Sequence, residues 1–109
     1  MSFTASSEDI RVDGGSTLRG RLRTESGNWV DAHINLNEFI GNKDGRFEWG
    51  GKNFTDTAED IRYAIEGGAS VPVLRARLKK LDGEWVEADI NLAERVQNDN
   101  GRFEFREFT

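Results

Sequence analysis

Cysteine is absent from the 109 residues. That removes disulfides and thiolate metal ligands together, so burial and hydrogen bonding alone must hold the fold. No apolar run approaches the roughly 18 residues of a membrane span. The opening Met1-Ser2-Phe3-Thr4-Ala5-Ser6-Ser7 is polar where a signal peptide carries its apolar core, so the expected location is the cytoplasm, with no membrane partner. An excess of basic charge is missing too: the net charge is −5, and nucleic acid is not an expected partner because phosphate binding needs a basic surface. The single histidine, His33, has no serine or cysteine arranged with it for nucleophilic catalysis. A carboxylate pair such as Asp44 with Asp56 could serve a glycosidase only with a defined separation and split pKa values. Asn98-Asp99-Asn100-Gly101 fails as a calcium loop, since Gly101 in its sixth place puts Val96 at the first ligand. No enzyme activity, metal or cofactor is expected.

What is present is a tandem repeat. Residues 3–11 and 54–62 share Phe, Thr, Glu, Asp, Ile and Arg in register, and residues 18–49 match 74–105 from Leu18/Leu74 through Trp29/Trp85 and Asn35/Asn91 to Glu48/Glu104. The second copy is five residues longer between Ala64 and Val73, where Gly67, Gly68 and the only proline, Pro72, predict a surface loop. With 36% hydrophobic and 32% charged residues, a chain this short is one domain or two halves sharing a core. Neither copy can bury its own apolar face, so the two must pack with approximate two-fold symmetry.

Within each copy the apolar residues recur every second position, the mark of a strand with one dry face. Leu18, Gly20 and Leu22 alternate with Arg19, Arg21 and Arg23, as Leu74, Ala76 and Leu78 do with Arg75, Arg77 and Lys79. After Ser26-Gly27 and Asp82-Gly83, Val30, Ala32 and Ile34 and then Val86, Ala88 and Ile90 alternate with polar residues, giving a hairpin per copy. Asn35-x-x-Glu38 and Asn91-x-x-Glu94 have capping-box spacing before very short apolar runs, which predicts a single 3-10 turn each. Asp44-Gly45 and Asn100-Gly101 are turn dipeptides ahead of short strands at Phe47/Trp49 and Phe103/Phe105. The fold class is all-β. Phe3, Trp29, Phe47, Phe54, Trp85 and Phe103 recur in register with the apolar faces and read as core. By composition alone Asn42, Asp44, Asn98 and Asn100 read as turn residues.

The doubled Phe-Thr openings, Ile34-Asn35-Leu36 with Ile90-Asn91-Leu92, Asn42-x-Asp44-Gly45-x-Phe47-x-Trp49 with its partner at Asn98, and Asn53-Phe54-Thr55-Asp56-Thr57 together resemble the cyanovirin-N homologues, a family of small mannose-binding lectins. The resemblance implies two pseudo-symmetric halves, each a three-stranded sheet plus a β-hairpin. Half A would combine residues 1–39 with 96–109, and half B would be residues 40–95. Where founding members carry cysteines this chain has Ser7, Leu22, Ala58 and Leu78. Gly50-Gly51 replaces a proline-containing hinge associated with domain swapping, so a monomer is expected.

The resemblance further implies recognition of high-mannose glycans through terminal Manα1-2Man units on oligosaccharides or glycoproteins, with no catalysis. Such a pocket is dense in hydrogen-bonding groups because every sugar hydroxyl it desolvates must find a partner. Carried over by position, the favoured pocket in half B comprises Asn42, Asp44, Asn53, Asp56, Thr57, Lys79, Lys80 and Leu81. Leu81 stands where the founding member has an arginine over the sugar. The second candidate, in half A, comprises Ser2, Ala5, Ser6, Arg23, Thr24, Glu25, Asn98, Asp99 and Asn100. The alternative is a protein-interaction module on the same fold with decayed sugar pockets. Asn53-Phe54-Thr55 is also a glycosylation acceptor, relevant only in a secretory compartment.

Overall fold

Alternation builds strands over most of the chain. The computed structural model describes residues 3–66 and 71–106. Among these lie ten strands: β1 (Ser7–Asp13), β2 (Thr17–Arg23), β3 (Trp29–Asn35), β4 (Ile40–Lys43), β5 (Arg46–Trp49), β6 (Ala58–Glu66), β7 (Val71–Lys79), β8 (Trp85–Asn91), β9 (Val96–Asp99) and β10 (Arg102–Phe105). They form two three-stranded antiparallel sheets, β1-β2-β3 and β6-β7-β8, and two hairpins, β4-β5 and β9-β10. Short 3-10 turns at Phe3–Ser6, Leu36–Glu38, Phe54–Thr57 and Leu92–Glu94 join them. The β9-β10 hairpin packs on β3 and the Phe3–Ser6 turn, while β4-β5 packs on β8 and the Phe54–Thr57 turn.

The inward residues of β2 and β7 carry the core: Leu18, Leu22, Leu74, Ala76 and Leu78 are fully buried, with Phe54, Leu36, Ile40 and Leu92 beside them. Phe3 meets Phe103 edge-on at 5.5 Å, and Phe54 meets Phe47 the same way at 5.6 Å, each contact joining one copy to the other. Phe39 stacks on Phe105 at 4.6 Å where mid-chain meets the C-terminal hairpin. Ser7 pairs across the ladder with Leu22, and Ala58 with Leu78. A buried leucine thus sits opposite a small residue at each site, and each leucine contributes about 1.5–3 kcal/mol of burial.

Three expectations are corrected. Trp29 and Trp85 are not core: they begin β3 and β8 on the outer sheet face and are 39% and 37% exposed. The predicted loop at the insertion is largely strand. Ala64, Ile65 and Glu66 extend β6, and a buried Pro72 sits in β7 opposite Ile65; Gly67 and Gly68 lie outside the described residues. The short turns use a simpler cap than the capping box: Asn35 and Asn91 accept from the backbone N–H two residues on, Asn37 and Ala93. The carboxylate of Glu94 instead accepts from Trp49 Nε1 at 3.4 Å.

The outer faces are charge ladders. Arg21 meets Glu8 at 2.8 Å, Arg19 meets Asp13 at 3.1 Å, Arg77 meets Glu59 at 3.0 Å and Arg62 meets Glu87 at 3.2 Å. All are solvated, so each contributes at most about 1 kcal/mol.

Candidate functional site

The two candidate surfaces grow from one local device used twice. At the tip of β4-β5, Asp44 and Gly45 both have positive φ, 49° and 90°, the geometry a two-residue hairpin needs. Asn100 and Gly101 repeat it at 49° and 91°. Glycine is required for space as well. A Cβ at Gly45 would stand 2.7 Å from Val86 Cγ2 and 2.9 Å from Lys80 Cγ, and one at Gly101 would stand 2.7 Å from Val30 Cγ2 and 3.0 Å from Thr24 Cγ2. Each turn is thereby seated against the neighbouring sheet's hairpin.

An asparagine then clasps three segments. In half B, Asn42 Nδ2 donates to Thr57 Oγ1 at 2.8 Å and to the Lys79 carbonyl at 2.9 Å, and its Oδ1 accepts from Gly45 N at 2.8 Å. Asp44 Oδ1 accepts from Leu81 N at 3.0 Å. In half A, Asn98 Nδ2 donates to Ser6 Oγ at 2.9 Å and to the Arg23 carbonyl at 3.0 Å, its Oδ1 accepts from Gly101 N at 2.9 Å, and Asn100 Oδ1 accepts from Glu25 N at 3.0 Å. The residues that read as turn formers by composition therefore also assemble the two surfaces.

Most of the sequence-derived set converges. In half B the structure joins Asn42, Asp44, Thr57, Lys79, Lys80 and Leu81. Lys79 takes part through its carbonyl, and its side chain lies on the outer sheet face, alternating with buried Leu78. Asn53 and Asp56 belong to the turn that ends at Thr57 and are exposed; Asp56 N donates to the Asn53 carbonyl at 3.0 Å. Leu81 is 92% exposed and does not fold over the surface. In half A the clasp joins Ser6, Arg23, Glu25, Asn98 and Asn100, with Thr24 beneath Gly101. Asp99 turns toward Arg102 at 3.7 Å, and Ala5 is exposed on the Phe3–Ser6 turn. Ser2 lies outside the described residues.

One positioning residue escaped the sequence reading. Asn37 grips Thr55 from both sides, its Nδ2 donating to Oγ1 at 2.8 Å and its Oδ1 accepting from Thr55 N at 3.2 Å, while its carbonyl accepts from Asn53 N at 2.8 Å. It fixes the Asn53–Thr57 wall of half B. The signal was available in the repeat, where Asn37 aligns with Ala93, a departure from symmetry that marks a task of one half.

No group of three or more His, Asp or Glu side chains placed to hold a metal occurs among the described residues, and none of their helices is long and apolar enough to cross a membrane. Two polar surfaces, built from turns, asparagine amides and backbone groups and repeated by symmetry, have the character of a lectin. The CVNH domain family matches residues 3–104. A cyanovirin-N homolog from Neurospora crassa is 51% identical over 108 residues, covering 95% of this chain and 97% of that protein. The solution structure of the Gibberella zeae CVNH superimposes with a TM-score of 0.91 at 42% identity, covering 96% of this chain and 97% of that one. A microvirin:mannobiose complex aligns with a TM-score of 0.85 at 27% identity, covering 95% and 97% of the chains. A variant of MoCVNH3 in complex with (N-GlcNAc)4 aligns at 0.83 and 27%, covering 94% and 95%. The chain belongs to the CVNH family, whose members are carbohydrate-binding lectins rather than enzymes.

Proposed function

We propose that this chain is a monomeric, metal-free lectin that recognises high-mannose glycans through terminal Manα1-2Man units, with half B as the leading site and half A as the second. The observation that carries the reading is the Asn42 clasp. It spends one side chain on holding Thr57, Lys79 and Gly45 in place and so pre-organises the surface around them. A pre-organised polar surface loses less entropy on binding hydroxyls. Half B leads because Leu81 stands clear of it and because Asn37 braces its outer wall. Mannobiose in the microvirin complex supports a mannose ligand, and the tetrasaccharide held by the MoCVNH3 variant names the competitor. Calorimetric titration with Manα1-2Man and with (N-GlcNAc)4 tests the specificity. Saturable heat with the first and none with the second is expected, and the reverse order overturns the mannose assignment.

The exposed Leu81 favours one other reading, a protein-interaction module on the same fold; silence toward both sugars at millimolar concentration is its outcome. We place the chain in the cytoplasm, where a fold without cysteine has no disulfide for the reducing environment to break. Recovery from culture medium with a glycan on the exposed Asn53 counts against that placement.

A further inference from the structure

Asn100-Gly101 is the one Asn-Gly step in the chain. Because glycine has no side chain to shield its backbone nitrogen, this is the step at which an asparagine carboxamide is most open to attack by the residue that follows it. The first copy differs at this point. Its turn also precedes a glycine and has the same φ of 49°, but the residue there is Asp44. Two turns of one shape thus carry two chemistries, a carboxamide in half A and a carboxylate in half B.

Two hydrogen bonds act on the carboxamide in opposite senses. Glu25 N donates to Asn100 Oδ1 at 3.0 Å, which polarises the exposed carboxamide and places a donor at the oxygen where negative charge develops on attack. That bond activates. The attacking atom is the Gly101 nitrogen, and its N–H donates to Asn98 Oδ1 at 2.9 Å. Attack needs this nitrogen deprotonated and turned toward Asn100 Cγ, so the bond to Asn98 must open first. Asn98 is itself held by Ser6 Oγ and the Arg23 carbonyl. The clasp therefore restrains.

We propose that Asn100 is a site of spontaneous deamidation gated by the Asn98 clasp, and that its conversion to isoaspartate disables half A while half B persists. When the clasp opens, the Gly101 nitrogen gives its proton to solvent and bonds to Asn100 Cγ. The bond from Cγ to Nδ2 breaks, and ammonia leaves with a proton from water. Water then opens the succinimide at one carbonyl or the other, giving aspartate or isoaspartate without any oxidant or reductant. Aspartate preserves the turn, since Asp44 holds the equivalent place and accepts from Leu81 N at 3.0 Å. Isoaspartate does not, because it inserts Cβ into the main chain of a seat without room: an added Cβ on Gly101 already stands 2.7 Å from Val30 Cγ2 and 3.0 Å from Thr24 Cγ2. The tip must lift, and the bonds of Asn98 go with it. Half B resists the same reaction, as the Asp44 carboxylate repels a nitrogen anion and would have to expel oxide. The chemistry at Asn100 stands alone; its effect on sugar binding rests on the lectin reading.

The test incubates the full chain at mildly alkaline pH and follows it by peptide-resolved mass spectrometry and isoaspartate-specific methylation, in the parent, N98A, S6A and N42A. N42A removes the matching acceptor in half B and so controls for stability lost elsewhere, while S6A loosens the half A clasp by one bond and guards against a folding failure of N98A. The amide-to-acid mass gain is expected at Asn100, with isoaspartate exceeding aspartate and none at Asp44. It should run about tenfold faster in N98A, at an intermediate rate in S6A and at the parent rate in N42A. The isoaspartate fraction should show displaced amides at Ser6, Thr24 and Gly101 without sugar, and should lose the Manα1-2Man shifts of half A while keeping those at Asn42 and Thr57. An unmodified Asn100, one rate in all four proteins, or equal acceleration by N42A and N98A overturns the gated site. Isoaspartate with undisturbed half A amides overturns the disabling of half A. Fresh parent silent toward the sugar overturns the lectin reading alone, because the mass gain and the sugar-free amides still decide the proposal.

Discussion

The Nδ2 of Asn42 donates to the carbonyl of Lys79, 37 residues further along the chain, at 2.9 Å. The same amide also binds Thr57, so one side chain couples the β4-β5 tip, the Phe54–Thr57 turn and the end of β7. Replacing Asn42 by Asp keeps the acceptor for Gly45 N and removes both donors, leaving a carboxylate against a carbonyl. Urea denaturation should show a loss of about 1–3 kcal/mol. N98D should do the same in half A, and the two losses should add in the double variant.

Among the described residues, two buried hydroxyls have no partner, Ser7 Oγ and Tyr63 Oη. S7A and Y63F should each raise stability, by about 0.5–2 kcal/mol, because a desolvated polar atom is removed with little change of shape.

Burial pushes the Tyr63 phenol above its ordinary pKa. The folded state therefore keeps a proton that the unfolded state gives up above about pH 10. Sign follows from linkage: the contribution is complete below that pH and is lost as pH rises. Denaturant midpoints should fall between about pH 9 and pH 11 in the parent and fall less in Y63F. An equal fall in both would assign the loss to other groups.

Gly45 and Gly83 both have φ near +90°, but only Gly45 has neighbours within 4 Å of an added Cβ. G83A should cost about 1–2 kcal/mol, the strain of the left-handed backbone alone. G45A should cost about 2 kcal/mol more through the clash with Val86 and Lys80 and should weaken sugar binding in half B.

At the hinge, a Cβ on Gly51 would come 2.8 Å from the Gly41 Cα and 2.9 Å from its nitrogen, a clash with backbone that no rotamer relieves. The parent should elute as a monomer in size-exclusion chromatography at micromolar concentration. G51A should shift toward dimer as the hinge is forced from its folded-back path.

The strands of β2, β3, β7 and β8 were legible because period-two alternation records a buried face directly. β1 and β6 were legible only through the family resemblance. A bulge at Asp9 and Asp60, with φ of 55° at each, shifts the ladder register and breaks the alternation. Trp29 and Trp85 misled because recurrence in a repeat shows equivalence of position, and equivalence is not burial. The insertion misled because glycine and proline normally end strands, yet a proline needs no ladder donor at the end of a hairpin. The clasp lay half in view: Asn42 and Asn98 stood at the right spacing, but their long-range bonds to Lys79 and Arg23 are tertiary facts that spacing does not encode.

The most direct test of the account is residue-resolved amide-shift titration with Manα1-2Man on the parent, T57A and S6A, the two variants that remove the hydroxyl partner of each clasp. Saturable shifts at Asn42, Asp44, Asn53 and Thr57 in the parent, abolished in T57A and retained in S6A, are the expected result. Shifts that vanish in S6A and persist in T57A would contradict the leading role of half B, and no shifts at millimolar sugar would contradict the lectin itself.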